Sequence, residues 1–328
     1  MTNAMLLNNK GYDPFIDFMK GMCIIWVVLT HSIPYEWQQI IGFPFWGGQA
    51  VPMFLLIQSY HYFKHEDLPS INWRKLFKRI VLPFLIVETV IVLYIFVAYF
   101  CGSGMLTTPL RTLIISGGEG PGSYYVWIYL QFALILLPLF GWLRQKVHLS
   151  DIHWGILFIL MSEGLEILCS YWNPSNQIYR LLSFRYVFLV YGGYLWAKHG
   201  IKCNWKTIIL SILSLIAIYI LQYKHYTFEP WIFDTPWRYF HWCCYFFVIF
   251  LLVLLVNVLY KIGGAFTELI KTIGKYSYEI FLFQMLVFYL FPSDVNKWTY
   301  LIATTLLSIV PVLVYYRIKT KWQIINKL

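Results

Sequence analysis

Lys20 and His31 are the side chains in this sequence whose types and spacing could do chemistry. An ammonium attracts phosphate or carboxylate as a point charge. An imidazole, with an unperturbed pKa of about 6.5, takes a proton from a hydroxyl or carries a group transiently. The two residues bound most of DFMKGMCIIWVVLTH, residues 17–31. At 3.6 residues per turn the step between them is about 20° from three whole turns, so both leave the same helix face, roughly 16 Å apart along the axis. The stretch is apolar enough to enter a bilayer, where an ionisable group costs a few kcal/mol or more and points to function by default. Snorkelling of Lys20 to the headgroups and an interfacial His31 satisfy the same spacing, and that reading stays open beside the functional one.

A second basic group lies in NWRKLFKRIVLPF, residues 72–84. Helical spacing puts Lys75, Lys78 and Arg79 on one side, either as a topological anchor or facing the mouth of a cavity. With Lys20 predicted at the same side of the membrane, these cations suit a ligand carrying several phosphates. The stretch 102–125, GSGMLTTPLRTLIISGGEGPGSYY, is too polar and glycine-rich to span. Its GGEGPG run predicts a flexible or tightly turned extracytoplasmic loop over a site. It lacks the spacing of a nucleotide-binding loop. Tyr124, Tyr125 and Trp127 follow it, placed either to stack sugar rings or to form an interfacial belt. Other polar groups inside apolar runs are Glu88, Glu163, Glu166, Arg185 and His241. Glu163 and Glu166 share a helix face, and with Arg185 in the same leaflet an ion pair that shapes the acceptor site is expected.

The elements that must hold these residues are membrane helices. Of the 328 residues 59% are hydrophobic and 12% charged, with a mean hydropathy of +0.62, which excludes a soluble domain of this size. The sequence predicts an all-α polytopic bundle forming one domain over residues 1–328, with ten spans. These run about 15–33, 48–63, 80–101, 125–142, 153–170, 181–197, 206–222, 239–260, 276–291 and 299–316. Counting Lys and Arg outside them gives 17 on one side against 5 on the other, so both termini are expected in the cytoplasm. The net charge of +10 then belongs to topology and anionic lipid, and no nucleic-acid partner is expected. The first 14 residues lack the pattern of a cleavable signal peptide. Cys23, Cys101, Cys169, Cys203, Cys243 and Cys244 show no metal spacing and are expected as small core residues.

Five motifs in order carry a family resemblance. IDFMKGMCIIWVVLTHS resembles the first helix of the family-3 membrane acyltransferases, in which a basic residue, usually Arg, is followed after ten residues by His. VPMFLLIQSYHYFKH (51–65) resembles the second helix, with Gln58 and Ser59 where Ser-Gly is frequent. KLFKRIVLPF resembles the basic motif with its following proline, Lys75 and Lys78 standing where arginines are commoner. SYYVWIYLQF (123–132) and IGKYSYEIFLFQ (273–284) match two later spans, with Gln284 where many members have His. The resemblance implies a multi-pass enzyme of the bacterial inner membrane that moves an acyl group from cytoplasmic acyl-coenzyme A to a hydroxyl of an extracytoplasmic or lipid-linked glycan. It implies His31 as the catalytic residue and Lys20, Lys75, Lys78 and Arg79 as the donor's phosphate ligands. Acetyl-coenzyme A is the first donor to consider, no metal is expected, and a homo-oligomer stays open.

Two other classes fit part of the pattern. A transporter or flippase of a lipid-linked sugar would also set charges in a cavity, and would show symmetry between its halves. No convincing repeat is present in the sequence. A non-catalytic bundle serving assembly or sensing is compatible with Lys20 and Gln284 as departures from the family pattern.

Overall fold

Asp13 starts the first helix: its carboxylate accepts from the Phe15 N–H at 3.0 Å, and Pro14, with no N–H to satisfy, takes the first helical position. In the computed structural model, which describes residues 13–64, 71–102, 109–202, 204–224, 228–291 and 295–325, every element is helical. Cys203, His65 and the 103–108 part of the glycine-rich stretch lie outside these residues. The helices that matter below are α1 (Pro14–Ser32), α2 (Ala50–Phe63), α3 (Trp73–Phe100), α4 (Tyr124–Lys146), α5 (Asp151–Trp172) and the short α6 (Asn176–Leu181). They continue with α7 (Phe188–His199), α8 (Trp205–Tyr223), α9 (Trp242–Ile262), α10 (Gly264–Lys275), α11 (Ser277–Leu290) and α12 (Lys297–Ile325).

All ten predicted spans fall on helices, but among the described residues seven of those helices are long and apolar enough to cross a bilayer. The other three coincide with α2, α7 and α11, which have 14, 12 and 14 residues. At 1.5 Å per residue their regular α-helical parts reach about 18–21 Å, and the 3-10 segments Gly47–Gln49 and Ser183–Tyr186 lead into two of them. Much of their surface is covered by protein, which a hydropathy window cannot tell from burial in lipid. The pair α2 and α7 shows it: a Cβ on Gly193 would meet Ser59 Cβ at 2.3 Å, and Tyr60 stacks on Trp196 at 4.2 Å. Helices α3, α5, α8 and α12 instead leave Leu93, Leu160, Leu213 and Leu306 exposed, as lipid-facing surfaces do.

Two turns of i→i+5 type, Phe77–Val81 and Phe132–Leu136, each end two residues before a proline, Pro83 and Pro138. Proline clashes with the carbonyl four residues back, and a widened turn gives that carbonyl room. Tyr278 from α11 donates its O–H to the Ile80 carbonyl at 2.6 Å and pins one of these turns.

Helices α1 and α10 meet backbone to backbone at two glycines. A Cβ on Gly274 would lie 1.7 Å from the Asp17 carbonyl oxygen, and one on Gly21 would lie 2.1 Å from that of Ile270. Only glycine permits this approach, which sets Lys20 beside α10, and small residues are what let membrane helices pack so closely. Gly274→Ala is expected to lower the thermal midpoint of the protein in detergent, because the helices must part at a cost of about 1–3 kcal/mol. Gly164→Ala, where an added Cβ meets nothing within 4 Å, should leave the midpoint unchanged or raise it. Equal midpoints for the two variants would contradict the packing described.

Candidate active site

One elongated cavity of about 1070 Å³ runs along the face of α1 that carries both Lys20 and His31. At one end its wall is basic, with Lys20, Lys75, Arg79 and Lys275 joined by His61 and Asn72. At the other end are His31, Thr30, Tyr124, Arg180, Trp237 and Tyr239. Apolar and aromatic side chains, among them Ile24, Val27, Phe54, Tyr125 and Phe281, line the stretch between.

Lys20 does not stand alone in the basic end. Its Nζ lies 3.2 Å from Asp17 Oδ1, one turn back on α1, and the lysine side chain keeps 31% of its surface exposed. Asp17 thus orients the ammonium from behind while leaving it open to the cavity. Of the second basic group, Lys75 and Arg79 line the cavity and Lys78 does not. The regular 3.6-residue period placed all three on one side. The widened turn over Phe77–Val81 adds a residue per turn at this point and carries Lys78 off that face.

His31 is half-buried, and its ring meets Phe288 edge-on at 5.7 Å. The glycine loop closes the cavity beside it, with Gly120, Pro121 and Gly122 in the wall. The loop is tightly turned: Gly117, Gly118, Gly120 and Gly122 have φ of 85°, 130°, 84° and 86°, a region that disfavours side chains. Glu88 is its anchor, accepting the Glu119 N–H at 2.9 Å through Oε2. A Cβ on Gly118 would fall 2.4 Å from Glu88 Oε1, so the loop backbone rests directly on the carboxylate. Trp127 is outside the cavity wall; its Nε1–H donates to the Gly117 carbonyl at 2.7 Å, so this tryptophan braces the loop. Tyr124 and Tyr125 do line the cavity.

The expected ion pair of Glu163 and Glu166 with Arg185 does not form, and none of the three lines the cavity. Glu163 accepts from Trp242 Nε1 at 2.6 Å, with His241 Nε2 3.5 Å away. Glu166 accepts from the Tyr179 hydroxyl at 2.5 Å and the Phe233 N–H at 3.2 Å. Arg185 sits in a cage of rings, its guanidinium carbon 4.6 Å from the Phe240 centroid, 4.9 Å from Tyr186 and 5.1 Å from Tyr179. Shared leaflet and apolar context made the pairing plausible, but aromatic side chains and backbone groups from other elements supplied nearer partners.

Sequence reasoning missed Arg180 and Lys275, both of which it counted only as topological charges. Arg180 is a lone arginine in a short segment on the side where Lys and Arg are scarce, and that scarcity was the available signal. Its guanidinium carbon lies 4.7 Å from the Tyr124 ring centroid and 5.5 Å from that of Trp237, near enough to His31 for its charge to act on the imidazole. Burial first, and the charge of Arg185 in addition, pull Arg180 below its ordinary pKa even though the tyrosine beside it works the other way. Gln58 was noted only as a departure from a motif; it lines the cavity and donates to the Tyr129 carbonyl at 3.1 Å. Gln284 is fully buried with neither amide atom hydrogen-bonded, 3.7 Å from where a Cβ on Gly122 would lie.

Among the described residues no group of three or more His, Cys, Asp or Glu could hold a metal ion. The arrangement can bind anionic groups at its lysine-rich end and move a proton at His31, with an apolar passage between the two. Compared with known proteins, residues 13–317 match the model of a family described as an acyltransferase domain, family 3. No curated protein and no solved structure matches the chain.

Proposed function

Because this chain belongs to the family-3 acyltransferases, we propose that it transfers acetyl or another short acyl group from cytoplasmic acyl-coenzyme A to a hydroxyl of an extracytoplasmic or lipid-linked glycan. The observation that carries this reading is the continuous cavity joining Lys20, Lys75 and Arg79 to His31. Coenzyme A is anionic at its nucleotide end and bears its thioester on a long thin arm. With the phosphates held by Lys20, Lys75 and Arg79, and by Lys275 beside them, the arm follows the apolar wall along α1 for roughly 16 Å to His31.

His31 there takes the proton of the acceptor hydroxyl. The oxygen attacks the thioester carbonyl, the C–O bond forms as the C–S bond breaks, and the imidazolium returns the proton to the departing thiolate. A general base needs one ternary geometry and no second covalent transfer, which is why it is preferred to an acyl-histidine. The fixed glycine loop keeps bulk water from the His31 end, so hydrolysis of the thioester is disfavoured. Tyr124 offers a ring face to the acceptor, Tyr125 lines the passage of the donor's arm with Phe54 and Phe281, and Trp127 serves the loop. In this orientation Lys20 faces the cytoplasm of a bacterial inner membrane, a side that the 17 against 5 charge count supports.

The test uses sealed membrane vesicles of both orientations and acetyl-coenzyme A labelled in the acetyl group. Inverted vesicles carrying the protein should move label into a glycan or lipid-linked sugar fraction, and right-side-out vesicles should not. Label transferred only when the donor is outside right-side-out vesicles would reverse the donor and acceptor ends. No transfer in either, with labelled sugar crossing the membrane instead, would favour the flippase reading.

A further inference from the structure

Among the described residues the cavity wall contains no Asp or Glu, yet it carries cations at both ends. The lysine-rich end answers to the donor's phosphates. Arg180, at the His31 end, answers to nothing in that account. Among the described residues no carboxylate pairs with Arg180, and its Nε is buried without a hydrogen-bond partner. Trp237 lies under it and, at 6.0 Å, also under Arg185. Arg185 is 2% exposed, and its Nε and Nη1 likewise lack partners. Two guanidinium groups therefore share one indole, and among the described residues neither forms a salt bridge. A buried charge without a counter-charge is costly, so an anion entering this end is favoured by both.

Resting on the acyl-transfer reading above, we infer that the acceptor bears a phosphate or carboxylate close to the hydroxyl served by His31, and that Arg180 binds it. Guanidinium matches either anion with paired, parallel hydrogen bonds. Tyr124, Trp237 and Tyr239 add ring faces on which the sugar can stack. Arg185, caged and outside the wall, positions Trp237 and adds positive potential without touching the acceptor.

The experiment reads binding, so that it does not depend on turnover. The full-length protein in phosphatidylcholine nanodiscs, where no anionic headgroup competes, is first saturated with coenzyme A to fill the lysine-rich end. Glucose 1-phosphate, glucuronate and glucose are then titrated into wild type, Arg180→Gln and Arg180→Lys. At least one of the charged sugars should bind wild type roughly ten- to a hundredfold more tightly than glucose. That preference should vanish in Arg180→Gln and survive in part in Arg180→Lys, with affinity for coenzyme A unchanged in both. Equal affinity of wild type for all three sugars would overturn the inference without need of any variant. So would a preference that persists undiminished in Arg180→Gln. Acyl transfer followed in parallel keeps the two readings apart: a charge preference that depends on Arg180 in a protein that transfers no acyl group would count against the enzyme and not against the anion site.

Discussion

His31→Ala is expected to lower acyl transfer by roughly 10²–10⁴, the usual worth of a positioned general base. That is about 3–5 kcal/mol of barrier. The loss should fall on turnover and leave donor affinity alone, because the cations that hold the donor lie some three helical turns away. Folding should also be preserved. The ring faces the cavity and touches Phe288 edge-on, so its removal enlarges an existing cavity and opens no new void in the core. A purified His31→Ala protein that releases coenzyme A at the wild-type rate in the presence of acceptor would remove the proposed chemistry. A variant that fails only to bind acyl-coenzyme A would move His31 from chemistry to donor recognition.

Lys20→Gln should weaken acyl-coenzyme A binding by about 1.5–3 kcal/mol, a ten- to hundredfold change, if its ammonium meets a phosphate in a partly desolvated wall. Arg79→Gln and Lys75→Gln should cost less, since both side chains are exposed and solvent screens them. Lys78→Gln is the internal control. It removes the same charge from the same helix but from outside the cavity wall, so donor affinity should stay within about twofold of wild type. Lys20→Arg should be tolerated, because it keeps the charge and adds a fork. Titration of purified proteins with turnover at saturating donor separates the possibilities. Equal losses for Lys75→Gln and Lys78→Gln would mean a diffuse anchor in place of a clamp.

The sequence by itself determined the helical class, the membrane setting, the family and the facing of Lys20 and His31 along α1. These follow from composition and from one period: in a continuous α-helix, side chains eleven residues apart share a face whatever packs against it. It also marked the glycine loop, because a run such as GGEGPG is chain that strands and helices disfavour. What the loop rests on, the Glu88 carboxylate 31 positions earlier, was not legible.

Only the tertiary structure decided which apolar stretches are covered by protein and which face outward, since lipid and protein interior reward the same residues. It decided that Lys78 leaves the wall, because a proline two residues beyond the widened turn breaks the 3.6-residue period on which the sequence argument relied. It decided that Glu163, Glu166 and Arg185 pair with an indole, a phenol and a cage of rings, because partners inside a bundle are chosen by packing across elements distant in sequence. And it brought Arg180, a single charge in a short connection, to the His31 end of the cavity, a juxtaposition that no spacing along the chain encodes.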